Sequence, residues 1–274
     1  MKICFIVTNF NNSEFTFLLC DSVKNLNGLL IDLIVVDNSS NSNEIEELRE
    51  IESKYDFCRV IYNKDNVGYF EGLNCGIRSI DPLTYEYIVI GNNDLQFDNS
   101  FVNQIKSLPK SIASKYPIIA PDIVTLDNVH QNPHVIHKIS QFREFMYDAY
   151  YSNYIVSRVI WRLARLFSFI SSRTDDQQYL NGREIYQGYG ACYILTPKFF
   201  ENFSCLWAPT FLMGEEFFLW KQLNDKGLKL WYEPSVQVRH YDHASVSKLP
   251  SRKMWEISKE SHKVYRKYLR NANR

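Results

Sequence analysis

IDLIVVDNSS, residues 31–40, decides how the chain folds. A strand-like run, Ile31–Val36, stops abruptly at Asp37 and gives way to a polar turn. Apolar residues at successive rather than alternate positions suit a strand covered on both faces. Ile3–Val7 stops in the same manner at Thr8-Asn9, and Tyr87–Ile90 stops at Gly91-Asn92-Asn93-Asp94. Arg59–Tyr62 and Ile118–Ala120 add shorter strand-like runs, and helical periodicity occupies Glu14–Leu26, Glu44–Lys54, Tyr69–Ile80 and Ser100–Leu108. Strands alternating with helices predict an α/β fold, a mainly parallel central sheet flanked by helices. Right-handed crossovers place the post-strand loops on one edge, where ligands of such sheets bind. Thr8–Asn12, Asp37–Ser40 and Asn92–Asp94 should therefore meet.

With 274 residues the chain can bury a sizeable core. Its 31 basic and 31 acidic side chains cancel, so no overall field points to nucleic acid or to an acidic partner. The six cysteines show no metal-ligand spacing, and several sit in apolar runs, as buried free thiols do in a reducing cytoplasm. The apolar run after Lys2 is too short for a signal-peptide core and reads as a first strand.

Lys138–Leu180 interrupts the alternation and contains Tyr154–Ile170, an apolar stretch with Arg158, Arg162 and Arg165 on one helical side. Its 17 residues would reach about 25 Å as a helix, against a hydrocarbon core of about 30 Å. It should not span. It reads either as a helix packed on the core or as an amphipathic helix that lies on a membrane surface or covers an acceptor groove. Ser251–Arg274 is also helical in pattern and carries eight basic residues against Glu256 and Glu260, which adds to the expectation of an anionic membrane surface as partner.

The turns carry groups suited to a ligand. Asp37 can accept from a ribose or a uracil-type ring edge, or serve as an ordinary turn aspartate; Thr8 and Asn9 carry the same two readings. NVGYFEGLNCG (66–76) spaces Gly68, Gly72 and Gly76 four apart at a helix start. Such glycines admit a phosphate to the helix N-terminus, or let the helix lie close on the sheet. Asn66 and Asn74 add amides able to bond a ligand. Asn92, Asn93 and Asp94 offer oxygens of the kind a hard divalent cation takes, its shell completed by substrate phosphates and water; a plain polar turn is the alternative. Glu215 and Glu216 open an apolar helix, where the dipole favours them, and they point in different directions, so that one can act as general base while the other supports it. His240 ends the strand-like run Val236–Arg239 and reads as a structural histidine or as a metal contact; an imidazole ligand there would suit Mn2+ better than Mg2+.

In this order the motifs resemble the inverting family 2 glycosyltransferases of GT-A fold, in particular bacterial rhamnosyltransferase-like enzymes of O-antigen and capsule assembly. The resemblance runs from about Lys2 to Ser247 and is poor over Lys138–Leu180. It implies a GT-A domain over 1–250, with a nucleotide-sugar-binding half at 1–125, a helical insertion at 138–182, an acceptor and catalytic half at 183–250, and a basic helix at 251–274. It implies donor contacts from Thr8, Asn9, Asp37, Asn66, Gly68, Asn74, Asn92 and Asn93. A divalent metal, Mn2+ or Mg2+, would sit on Asp94 and His240, with an acceptor segment at Gly190-Ala191. Glu216 would be the catalytic base beside Glu215, and a late histidine-to-serine element falls on His240 and Ser245. Asn92 stands where the family has an acid, and Glu216 where it more often has aspartate. The implied donor is a dTDP- or UDP-sugar, and the implied acceptor a polyprenyl-diphosphate-linked glycan. The implied place is the cytoplasm, peripherally on the inner face of the plasma membrane. Two rivals are a nucleotidyltransferase, which TNFNNSEF does not favour because it lacks glycine and lysine, and a non-catalytic nucleotide-sugar-binding protein, which Asn92 favours.

Overall fold

A computed structural model of the chain describes residues 1–166, 178–241 and 251–272. Ser245 and the end of the Tyr154–Ile170 stretch lie outside them. The first strands form where the aliphatic runs are: β1 Lys2–Asn9, β2 Leu30–Asp37, β3 Cys58–Tyr62 and β4 Tyr87–Asn92. They are joined by α1 Ser13–Lys24, α2 Ser42–Lys54 and α3 Tyr69–Arg78. Period-two alternation divides each strand between two cores. Ile3, Phe5, Val7, Leu33, Val35 and Val89 face α1, α2 and α4 (Ser100–Lys106). Cys4, Ile6, Ile34, Val36, Ile88 and Ile90 face α3 and the later helices α8 (Pro197–Phe200) and α9 (Glu215–Asn224). A sheet buried on both faces explains why these strands read as unbroken apolar runs.

The remaining strands are β5 Leu95–Gln96, β6 Ile118–Thr125, β7 Arg183–Ile185, β8 Cys192–Leu195 and β9 Leu230–His240. The order is β3-β2-β1-β4-β8-β6-β9-β5, with β7 against β9. The long ladders β1–β2, β1–β4, β2–β3 and β6–β9 are parallel; the short ones made by β8, β5 and β7 are antiparallel. β6 runs past the expected Ala120 to Thr125, because its pairing with β9 shifts register between Pro121 and Asp122 and so accommodates the proline. A short helix after Pro109, α5 Lys110–Lys115, is an addition to the expected elements.

Lys138–Leu180 holds α6 Gln141–Ser152 and α7 Tyr154–Leu166. Both turn apolar side chains outward. On α7, Ile155, Val159 and Leu163 are 72, 49 and 48% exposed, while Ser157 on the opposite face is buried. On α6, Phe142 and Phe145 are exposed and Glu144 is buried. The last helix, α10 Ser251–Ala272, packs Tyr265 and Leu269 against Phe217 and Phe218 of α9. Four of its basic side chains are engaged. Arg266 pairs with Glu144 and Asp148, Lys259 donates to the Ser152 carbonyl, and Lys263 and Arg252 pair with Glu260 and Glu256. Through Arg266 and Lys259 the basic helix anchors α6. Among the described residues no helix is long and apolar enough to cross a membrane.

The glycine spacing of α3 has a packing cause. A Cβ at Gly76 would lie 2.3 Å from Cγ2 of Ile6, and one at Gly72 would lie 2.9 Å from Thr8 and Asn38. The bare helix face lets α3 rest directly on β1 and β2. Gly76→Ala should therefore cost about 1–3 kcal/mol of stability through overpacking, although alanine is the better helix former. Urea unfolding checks this, and an unchanged midpoint would refute it.

Candidate active site

The register brings the strand ends level: Thr8 lies between Val36 and Asn92, and Asn9 beside Asp37. Beyond these ends the turns form a network of buried amides and one carboxylate. Asn9 donates from Nδ2 to Asp37 Oδ1 at 2.9 Å, and the Ser40 backbone N–H donates to Asp37 Oδ2 at 3.0 Å. Asn93 directs its amide nitrogen at Asn9 Oδ1 (2.9 Å), Asn12 Oδ1 (2.9 Å) and Thr16 Oγ1 (2.8 Å). Asp37 and Asn93 are thus buried and joined to the protein itself, holding the loops in place. Thr8 and Asn92 stay partly open at the same edge.

The start of α3 adds the next wall. Gly68 has φ +89°, and a Cβ there would meet the Phe211 carbonyl oxygen at 2.0 Å, so both its conformation and its space demand glycine. Tyr69 donates its backbone N–H to that carbonyl at 3.0 Å. The expected free helix N-terminus for a phosphate is therefore partly capped by Phe211. Asn66 accepts from the Gly68 N–H at 3.0 Å and fixes the turn. Asn74 is not brought to the edge as a ligand group. Its amide donates to the Leu206 carbonyl at 2.9 Å and accepts the Leu206 N–H at 2.8 Å, tying α3 to the chain before α9.

Met213 (φ +74°) and Gly214 (φ +89°) turn the chain left-handed just before α9. Met213 is not a glycine, so this turn stores strain immediately ahead of the two glutamates. Glu215 points back, accepting the Met213 N–H at 2.9 Å, and is buried. Glu216 is less buried and lies against Gly190, where a Cβ would come within 2.8 Å of its Oε1. Gly190 is thus the space Glu216 occupies, and its carbonyl is pinned by the Tyr69 hydroxyl at 2.7 Å. Ala191 bonds Asn92, its carbonyl accepting the Asn92 N–H at 2.9 Å. Burial holds the Tyr69 phenol far above its usual range, with smaller effects from the neighbouring Cys192, Glu215, Asp94 and Glu216. Tyr69 is accordingly a neutral donor within electrostatic reach of all three carboxyl groups.

β5 matters out of proportion to its length. By pairing Leu95 with His240 it sets Asp94 beside the end of β9. His240 Nε2 and Asp94 Oδ1 are 3.2 Å apart and both buried, yet neither makes a hydrogen bond. The separation alone would suggest an ion pair, but the two atoms do not meet in hydrogen-bond geometry. His240 Nδ1 meets Gln131 Oε1 at 2.8 Å, so the proton belongs on Nδ1 and Nε2 presents a lone pair. Two facing acceptors with no hydrogen between them fit a shared cation, and a carboxylate oxygen with an imidazole nitrogen fits Mn2+. Among the described residues no third carboxylate, imidazole or thiol completes a set around them.

The family model for Glycosyl transferase family 2 matches residues 4–159, more than half of the chain. The chain belongs to that family. Among curated proteins none matches it. The solved structure of GalNAc-T7 with UDP, GalNAc and Mn2+ aligns at TM-score 0.56 and 14% identity, covering 87% of this chain and 43% of that one. Mannosyltransferase PcManGT from Pyrobaculum calidifontis, in complex with GDP-Man and Mn2+, aligns at TM-score 0.57 and 13% identity over 98% of this chain and 64% of that one. S. aureus TarS 1–349 aligns at TM-score 0.51 and 11% identity over 88% of this chain and 60% of that one. These likenesses establish the GT-A fold of this chain, which spans less than two thirds of each of those chains.

Sequence reasoning missed two residues of this candidate site. Tyr69 lies inside the glycine motif of α3, but nothing in that motif shows that its hydroxyl reaches a glycine far along the chain. Gln131 sits in a loop with no periodicity, and no sequence signal singles it out.

Burial, with the adjacent charge of Glu216, pushes the Glu215 carboxyl from 4.5 up to about 8. A folded-state pKa above the unfolded one means the native state holds the extra proton through that window, so stability falls as pH rises across it. Glu215→Gln should melt a few degrees above the parent at pH 8.5 and level with it near pH 5. A difference that does not change with pH would sink this assignment.

Proposed function

We propose that this glycosyltransferase moves a sugar from a nucleotide diphosphate donor to an acceptor hydroxyl, with inversion. The observation that carries the reading is the convergence at one sheet edge of two unlike groups. One is the unbonded Asp94–His240 pair; the other is Glu216, in the space left by Gly190. Thr8, Asn92 and the turn at Asn66–Gly68 line the donor side, with Asn9, Asp37 and Asn93 holding them from beneath. Asp94 and His240 would hold a divalent ion, which supplies charge to neutralise the leaving diphosphate. Asn92, where the family has an acid, leaves Asp94 as the carboxylate of that turn, so the donor phosphates and water complete the ion's shell.

The chain's own part in the chemistry is proton transfer and exclusion of water. The Glu216 carboxylate takes the acceptor hydroxyl proton as that oxygen bonds to the anomeric carbon. The bond from that carbon to the diphosphate breaks on the opposite face, and the nucleotide diphosphate leaves with the electron pair. Glu215, kept neutral by burial, gives Glu216 no like charge at neutral pH and fixes the turn that aims it. Glu216→Gln should lose about 10²–10⁴-fold in turnover while still binding donor. The assay would take UDP-, dTDP- and GDP-sugars with Mn2+, Mg2+ or chelator. Normal turnover in that variant would move the base elsewhere, and no nucleotide-sugar binding by the parent would refute the reading as a whole.

The acceptor of this reading is a lipid-linked glycan met at the inner face of the plasma membrane. The support is the outward apolar face of α6 and α7, flanked by Arg143, Arg158 and Arg162 and by no exposed acid on α7. Serine at Ile155, Val159 and Leu163 together should weaken binding to anionic vesicles at least about tenfold, since each half-exposed aliphatic contributes on the order of 1 kcal/mol when buried. Co-sedimentation at low salt decides it, and a parent protein that stays with the supernatant excludes the membrane partner.

A further inference from the structure

We infer that Gln131 is a positioning residue of the cation site, holding His240 in the tautomer that turns a bare Nε2 toward Asp94. The inference rests on the reading of Asp94 and His240 as cation ligands. In water an imidazole exchanges its proton freely between its two nitrogens, and a ring that carries it on Nε2 has nothing to give a cation there. Here Gln131 Oε1 stands 2.8 Å from Nδ1 and can only accept, which keeps the proton on Nδ1. Nε2 and Asp94 Oδ1, 3.2 Å apart and both without hydrogen bonds, are the consequence.

Gln131 can do this because its loop is clamped on both sides. Its own N–H donates to the Ile123 carbonyl at 2.8 Å. Before it, His130 Nδ1 lies 2.8 Å from Oδ1 of the buried Asp122, and the ring stacks on Tyr179 at 3.6 Å. After it, Asn132 donates to the Pro121 carbonyl at 2.8 Å and accepts the Tyr189 N–H at 2.8 Å. Asp122 also accepts from Gln237 Nε2 at 3.1 Å, which joins this loop to β9, the strand that ends in His240. A surface turn with no hold on the strand would not need such fixing. Held this firmly, the glutamine amide imposes its geometry on the ring instead of following it.

The test has two readings on the whole protein. Long-range ¹H–¹⁵N correlation spectra of the metal-free protein at pH 8 report which imidazole nitrogen of His240 carries the proton. The parent and Gln131→Glu, which keeps an acceptor, should show it on Nδ1; Gln131→Ala should show it mainly on Nε2. Mn2+ titration followed by electron paramagnetic resonance, with UDP present, should then show Gln131→Ala weakened about 10–100-fold, Gln131→Glu near the parent, and His240→Ala weakest. A tautomer unchanged in Gln131→Ala overturns the inference, and so does a changed tautomer with unchanged Mn2+ affinity. If His240→Ala binds Mn2+ as well as the parent, it is the ligand reading of His240 that fails, and the spectra still show whether Gln131 sets the proton. Equal thermal unfolding of the variants in chelator separates these effects from loss of fold.

Discussion

The amides and the carboxylate buried under the carboxyl edge of the sheet have no water to turn to, and the site depends on that constraint. Asp37 is fully buried, so its charge must be met by Asn9 and Ser40. Asn93 must be met by Asn9, Asn12 and Thr16. An unmatched buried group of this kind costs about 1–3 kcal/mol, and more when charged. The loops after β1, β2 and β4 therefore have one arrangement that satisfies them all. Thr8, Asn92 and Asp94 are held where they are because their neighbours in sequence are bonded across to other strands.

The parallel half of the fold was readable because the two-sided sheet leaves a direct trace: aliphatic runs that end sharply in polar turns. Its strand ends and the meeting of the three loops follow from period and crossover handedness alone. The antiparallel strands leave no such trace. β8 is four residues between a glycine-rich turn and a proline, and β5 is two, so nothing local marks either as part of a sheet.

Within the site, residue type was legible and orientation was not. The polar character of GNNDL fits a ligand turn or a plain one, and only the fold shows that Asn93 points inward while Asp94 lies beside His240. Asn74 illustrates the reason: its partner is a backbone group 132 positions away, and the same amide in another fold would face a ligand. Gly68 and Gly76 share a spacing but not a cause. One is required by a left-handed turn against Phe211, the other by the closeness of Ile6. A motif read as one object thus separates into a piece of the site and a piece of the packing.

The pairing of Arg266 with Glu144 and Asp148 joins α10 to α6, and the ring contacts of Tyr265 and Phe217 join α10 to α9. Glu144 is buried by this arrangement and would be stranded without its partner arginine. The last helix therefore belongs to the mechanical frame behind the two glutamates. Removing it would strip the outer support from α9 and leave α6 with an uncompensated charge. A shortened chain would loosen at α9 and α6, which α10 contacts, while β1–β4 keep their own covering helices.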